Sequence, residues 1–331
     1  MEYTKFGQTD LQVSRICLGC MSFGQKVGEE RAAWTLSEED SRTILKAAME
    51  QGINFFDTAF AYGSGLSEQI IGRAVRDFAS SRDKVVLATK FLPRTKAEIE
   101  AGVTGAQHVQ HHVEQSLKDL GTDYIDLYIC HMWDYHTPIE EIITGMGEAV
   151  KAGKVRYLGF SNCYAWQLCK VNALAKEMGY AQISSLQGHY NLLFREEERE
   201  MIPYCHDAGI ALTPYSPLAS GRLVKKAGET SARLEKDSVA HSKYDRTAEQ
   251  DAIIIQRVAE VAERNGFTTT QVALGWLLSK VTAPIVGATK MKHLNEAVAA
   301  ADVKLSPEDI AYLEEPYVPH RLVGVMEFNH A

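Results

Sequence analysis

Along this chain, short and almost unbroken apolar runs alternate with longer stretches in which apolar residues recur three and four positions apart. The first pattern suits strands buried on both faces; the second suits helices with one buried stripe. The runs fall at 15–24 (RICLGCMSFG), 53–57, 85–89 (VVLAT), 125–130 (IDLYIC), 155–160 (VRYLGF), 183–187, 210–215 (IALTPY) and 284–286. Helical spacing predicts helices over 67–78, 106–120, 139–150, 165–178, 196–208, 249–264, 269–280 and 291–300. An earlier helix opens at Ser37 with an acidic first turn, Glu38, Glu39 and Asp40, and carries its stripe on Ile44, Leu45, Ala48 and Met49. Residues 1–14 predict a small hairpin, 25–37 a polar loop, 218–247 a long polar interruption, and 307–315 one more helix before a tail with Pro316, Pro319 and Gly324.

Eight strand-then-helix units, roughly 30 residues apart, imply a parallel sheet with right-handed crossovers. Eight such units in 331 residues favour a closed (β/α)8 barrel, one domain spanning 1–331, with a hairpin in front and an extra helix and tail over 307–331. A doubly wound sheet would announce its dinucleotide with GxGxxG after the first strand. The corresponding stretch, GCMSFGQKVG, does not fit, nor does YGSG at Tyr62–Gly65, and there is no Walker loop or nucleophile elbow.

Composition narrows the partners. With 45% apolar and 24% charged residues, the chain can build a large core; its formal net charge of -8 disfavours a general nucleic-acid surface. No apolar stretch reaches transmembrane length, and MEYTKFGQ lacks the apolar run of a signal peptide, so the cytoplasm is expected. Cys17, Cys20, Cys130, Cys163, Cys169 and Cys205 sit mostly in apolar segments and read as buried thiols. CLGC lies along a strand and has no second CxxC to complete a metal set.

Chemistry is expected where strands end, because barrel loops converge there on one rim. Asp57 and Tyr62 follow the second strand, Lys90 the third, His131 the fourth, Ser161 and Asn162 the fifth, Gln187 the sixth, and Tyr215 and Ser216 the seventh. Each alone is an ordinary strand-end residue. Together, Lys90 would lower the Tyr62 phenol, Asp57 would hold Lys90 charged, and His131 could hydrogen-bond a carbonyl. That predicts a tyrosine acid for a developing alkoxide. The HVQHH run puts His108 and His112 on one helix face, but no carboxylate-rich context supports a metal, and none is assigned.

With these residues in place, GINFFDTAFAYGSGLSE over Gly52–Glu68 resembles the signature of the aldo-keto reductase family. The likeness is to the bacterial branch with a long loop after strand seven, related to the potassium-channel β-subunits. VVLATK and IDLYICH match further motifs, and the resemblance runs from about residue 3 to 315. It implies a (β/α)8 barrel with a hairpin across its bottom, catalytic Asp57, Tyr62, Lys90 and His131, and NADPH, less often NADH, reducing an aldehyde or ketone. Ser161 and Asn162 in LGFSN, with Gln187, match the positions that grip the nicotinamide carboxamide, and Tyr215 the aromatic stacked on the ring. Ser216, Leu218, Gly221 and Arg222 in YSPLASGRL match the pyrophosphate loop. Gly287, Thr289, Lys290, His293 and Glu296 in GATKMKHLNEA match the segment for the adenosine 2′-phosphate and adenine. His293 stands where many members have Arg or Gln, and Ala297 where most have Asn, which leaves NADH open. Trp34, Phe60, Phe91, Trp133 and the loop 218–247 are the expected substrate walls, and Asp134 a partner for a polar, sugar-like group. The partner is a small carbonyl compound; a homo-oligomer is compatible with the sequence but not indicated by it.

Overall fold

The computed structural model describes residues 1–24, 34–224, 238–317 and 323. Most of the expected 25–37 loop, the middle of the 218–247 segment and most of the tail lie outside the described residues. β1 (Tyr3–Lys5) and β2 (Gln12–Ser14) pair antiparallel, Thr4 opposite Val13, as the hairpin. Eight parallel strands follow: β3 (Cys17–Gly19), β4 (Phe55–Asp57), β5 (Val86–Phe91), β6 (Ile125–Cys130), β7 (Val155–Ser161), β8 (Ile183–Gln187), β9 (Ala211–Leu212) and β10 (Ile285–Gly287). Their order in space is β10-β3-β4-β5-β6-β7-β8-β9. The ends of this row meet through backbone bonds: the Ile285 amide donates to the Pro214 carbonyl at 2.9 Å, and the Thr282 amide to Leu212 at 3.1 Å. The sheet therefore closes on itself as the (β/α)8 barrel.

Two alternating sets of side chains build two cores. Cys17, Phe55, Val86, Ala88, Leu127, Ile129, Ala211 and Ile285 point into the barrel. Leu18, Phe56, Leu87, Tyr128 and Cys130 point outward against the helices. Phe6 and Val13 from the hairpin join the inner set, and the Phe6 ring meets Phe55 edge-on at 5.7 Å. The hairpin thus plugs the bottom of the barrel. Asn54 fixes it there, accepting from the Ser14 amide at 2.7 Å and donating to the Gln12 carbonyl at 3.0 Å.

The surrounding elements match the expected ones closely, with a few differences, among them a helix, Ser238–Tyr244, inside the expected 218–247 interruption. The 196–208 pattern splits into a short turn, Glu196–Glu198, and a helix, Met201–Asp207, because Pro203 is compatible only with a first turn. β9 is shorter than expected, since Pro214 has no amide to donate to the ladder. A five-residue helix, Lys96–Glu100, gave no periodic signal and was not anticipated; its Thr95–Glu98 capping box forms it. Helix Leu66–Phe78 packs so tightly on the end of helix Gly105–Leu120 that a Cβ on Gly72 would lie 2.1 Å from the Leu120 carbonyl oxygen. Among the described residues, no helix is long and apolar enough to cross a membrane.

Candidate active site

The inward set continues to the C-terminal rim. Two residues beyond inward Phe55 comes Asp57, two beyond inward Ala88 comes Lys90, and two beyond inward Ile129 comes His131. The two-residue period of a strand therefore carries the apolar lining of the barrel into its polar mouth. Lys90 is fully buried and Asp57 is 3% exposed. Lys90 Nζ donates to Asp57 Oδ1 at 2.6 Å, to the Thr58 carbonyl at 2.6 Å and to Tyr62 Oη at 3.4 Å. Gln187 Nε2 donates to the other carboxylate oxygen of Asp57 at 2.8 Å. Tyr62 arrives on the turn after β4, its ring 4.9 Å below the Lys90 ammonium and edge-on to His131 at 6.1 Å.

Electrostatics refine the expected roles. Burial works against the Lys90 charge, yet Asp57 and then Tyr62 raise the ammonium above its usual value. Burial also raises the Tyr62 phenol above its ordinary value, outweighing the downward pull of Lys90. The expectation of a lowered phenol is thus corrected: the pull exists, but taking the phenolate out of water costs more. Burial and then the Lys90 charge push His131 down to about 3, so its imidazole is neutral at physiological pH. His131 Nδ1 is buried with no hydrogen-bond partner among the described residues.

A model of the aldo/keto reductase family matches residues 15–317. The chain belongs to that family. It is similar to the versiconal hemiacetal acetate reductase of Aspergillus parasiticus, 39% identical over 96% of this chain and 98% of that protein. An aldo-keto reductase of Fusarium vanettenii is 38% identical over 98% of this chain and 93% of its own. Among solved structures, a thermostable aldo-keto reductase in complex with the inhibitor epalrestat superposes with a TM-score of 0.74 at 27% identity. It covers 96% of this chain and all of that one. The chain is accordingly an NAD(P)H-dependent oxidoreductase.

The remaining predicted residues of this reductase fall around the same rim. Ser161, Asn162, Gln187 and Tyr215 form one hydrogen-bonded set. Asn162 Nδ2 donates to Ser161 Oγ and to the His131 carbonyl, its Oδ1 accepts from Tyr215 Oη at 2.9 Å, and Ser161 Oγ donates to the Gln187 carbonyl. The Tyr215 ring stacks on His189 at 5.4 Å and has Lys243 Nζ 4.7 Å from its centroid. Beyond it, Ser216, Ala219, Ser220 and Gly221 all have positive φ, and the short loop folds on itself, the Ala219 amide donating to the Ser216 carbonyl at 3.0 Å and the Gly221 amide to the Leu218 carbonyl at 2.8 Å. Leu218 and Arg222 belong to the same loop. Arg222 gives Nη2 to Asp245 at 2.6 Å, while its buried Nη1 has no partner among the described residues. A buried guanidinium nitrogen left without a partner on this loop fits a pyrophosphate oxygen. Gly287 ends β10 with open space where a Cβ would be. Thr289 and Lys290 lead into helix Met291–Ala300, whose N-terminus no side chain caps. Lys290 and His293 are exposed; Glu296 instead turns toward Thr270, whose hydroxyl it accepts at 2.9 Å.

Two expected substrate contacts are corrected. Phe91 is fully buried and stacks on Tyr128 at 5.2 Å, because it is the outward neighbour of inward Lys90. Asp134 already accepts from the His136 amide and the Thr137 hydroxyl, a closed local turn. Trp34, Phe60 and Trp133 stay partly exposed, and Trp133 packs on Phe160 and Trp166. Cys169 is exposed, while the other five thiols are buried. The sequence reading also missed Glu68. It is fully buried behind Lys90 on helix Leu66–Phe78, accepts from Thr89 Oγ1 at 2.6 Å, and is raised by burial to about 7. It resembles any first-turn acid in sequence; only its place at the end of the signature could have marked it.

Proposed function

We propose that this reductase reduces an aldehyde or ketone to the alcohol with NADPH, with Tyr62 as the proton donor. The observation that carries this is the Asp57–Lys90–Tyr62 chain of hydrogen bonds at the barrel mouth, with neutral His131 beside it. The cofactor, when bound, supplies the hydride. Tyr62 remains protonated at neutral pH and gives its proton to the carbonyl oxygen as negative charge develops there. The phenolate left behind lies beside the Lys90 ammonium, which Asp57 and Gln187 keep charged and fixed, and it regains a proton from solvent. Neutral His131 can donate to the carbonyl oxygen, or accept from the hydroxyl of the alcohol formed, without adding charge. Asp57 acts on Tyr62 only through Lys90.

Ser161, Asn162, Gln187 and Tyr215 would hold the nicotinamide end, and Ser216, Leu218, Gly221 and Arg222 the pyrophosphate. Gly287, Thr289, Lys290 and His293 would hold the adenosine end. Exposed Lys290 and Lys292 at an uncapped helix start favour the extra phosphate of NADPH over NADH. Glu296, tied to Thr270, contributes only if that bond opens. Partly exposed Trp133, Phe60 and Trp34 would supply aromatic surface suited to aryl and aliphatic aldehydes. A reducing, cytoplasmic setting agrees with six free thiols.

The test is steady-state NADPH oxidation with 4-nitrobenzaldehyde, methylglyoxal and glyceraldehyde, comparing the native enzyme with Tyr62→Phe. Loss of the proton donor should lower kcat by about 100- to 10,000-fold with the NADPH Kd nearly unchanged. Equal turnover in the variant would remove Tyr62 from the role.

A further inference from the structure

Behind the rim, on the outer side of the barrel, stands a group that the hydride-transfer chemistry does not use. Helix Gly105–Leu120 presents His108 and His112 one turn apart, and the short helix Lys96–Glu100 brings Glu98 against them. One ligand atom from each of the three lies within 4.8 Å of the other two. Sequence spacing showed the two imidazoles without a carboxylate; the fold supplies it from ten residues upstream of His108. We propose that Glu98, His108 and His112 form a binding site for one divalent first-row transition ion of the Zn2+ type, with a fourth position open to water.

The donor set is pre-oriented for this. His108 Nε2 lies 2.8 Å from the Leu92 carbonyl, which can only accept, so that nitrogen carries a proton. The other nitrogen, Nδ1, points at Glu98 Oε1 at 2.8 Å. Both His108 nitrogens thus face acceptors, and a divalent cation entering between Nδ1 and the carboxylate would take the place of any proton there and use both atoms as ligands. The imidazole N–H held by a backbone carbonyl is the outer-shell device that fixes the tautomer of metal-bound histidines. Glu98 is itself held: its second oxygen accepts from the Thr95 amide and hydroxyl at 2.7 Å each. His112 Nδ1 is buried and has no hydrogen-bond partner among the described residues. The His108 and His112 rings are 4.5 Å apart, with Phe60 edge-on to His112 at 5.0 Å and Phe91 edge-on to His108 at 6.1 Å. His108 is 1% exposed and Glu98 27%, which gives a dry floor and an open entry.

Adjacent ligands of a tetrahedral ion at about 2.1 Å stand roughly 3.4 Å apart. The His108–Glu98 pair would open by about 0.6 Å, and any separation near the 4.8 Å limit would close by about 1.4 Å, both within reach of side-chain rotation. The ion would tie the short helix Lys96–Glu100 to helix Gly105–Leu120.

The decisive experiment is calorimetric titration of untagged, chelator-treated full-length protein with Zn2+, repeated with Co2+ while its visible spectrum is recorded. One Zn2+ per chain is expected, with a four-coordinate nitrogen–oxygen Co2+ spectrum. Glu98→Gln and His112→Ala should each weaken Zn2+ by roughly tenfold or more, while His111→Ala, an exposed neighbour, should leave it unchanged. Unfolding midpoints of the metal-free variants show whether each is folded, and His112 Nδ1 has no hydrogen-bond partner to lose among the described residues. Absence of stoichiometric binding overturns the proposal. So does Zn2+ affinity that survives Glu98→Gln or falls equally in His111→Ala, since either outcome marks adventitious chelation by surface imidazoles.

Discussion

Glu68 offers a quantitative test of the electrostatics around Lys90. The carboxyl is fully buried, one oxygen accepts from Thr89, and the other has no partner among the described residues. Burial raises its pKa from 4.5 to about 7, with the hydroxyl of Thr89 pulling the other way. A folded-state pKa above the unfolded one means that the folded chain holds this proton more tightly. The stability it contributes is therefore complete below pH 4.5 and is lost as pH rises through about 7. The separation of about 2.5 pH units corresponds to about 3 kcal/mol at pH 8 and under about 1 kcal/mol at pH 5. Glu68→Gln keeps the shape and the bond to Thr89 but cannot ionise. Equilibrium urea unfolding from pH 5 to 8 should show the two proteins converging at the acid end and the variant more stable by about 3 kcal/mol at pH 8. Parallel curves across this range would refute the argument, because they would mean that Glu68 is already ionised, or already solvated, in the folded state.

Lys90→Met strands the Asp57 carboxylate in the barrel with only Gln187 to donate to it, so unfolding by urea should show a loss of about 3–5 kcal/mol. The same variant should lose kcat by about 100-fold or more in NADPH-oxidation assays. Arg222→Ala should weaken NADPH and NADH alike by about 10- to 100-fold in fluorescence titrations, since both share the pyrophosphate. Lys290→Ala, by contrast, should weaken NADPH by roughly tenfold and spare NADH. Because His131 is held down to about 3, the kcat/KM profile should show no acid limb from an imidazole between about pH 5 and 7. A limb near 6.5 would show that His131 is solvated and titrating.

Much of this site was legible because a strand has a period of two. Phe55 and Asp57, Ala88 and Lys90, and Ile129 and His131 alternate in register, so apolar runs ending in a polar residue at the same phase point to one mouth. The same rule, carried one residue further, excludes Phe91 from the pocket, since it must face the helices. The reading of Tyr62 failed for another reason: a sequence shows that a lysine is near but not how dry the site is, and dryness set the sign. Glu68 was hidden because its burial depends on how closely helix Leu66–Phe78 settles on its neighbours, which Gly72 permits and no periodicity reports. Glu98 was hidden because a five-residue helix is too short to repeat. In the proposed cofactor region, Tyr215 and Arg222 were readable as residue types, but their present partners, His189, Lys243 and Asp245, come from distant segments.

The central claim is that hydride passes from NADPH to a carbonyl while Tyr62 supplies the proton. Its most direct test is single-turnover reaction of 4-nitrobenzaldehyde with NADPH carrying deuterium at the transferred position of C4, followed by mass spectrometry of the alcohol. The account predicts an alcohol carrying one deuterium on the former carbonyl carbon, formed about 100-fold or more slowly by Tyr62→Phe. An alcohol without deuterium, or labelled alcohol formed equally fast by the variant, would contradict it.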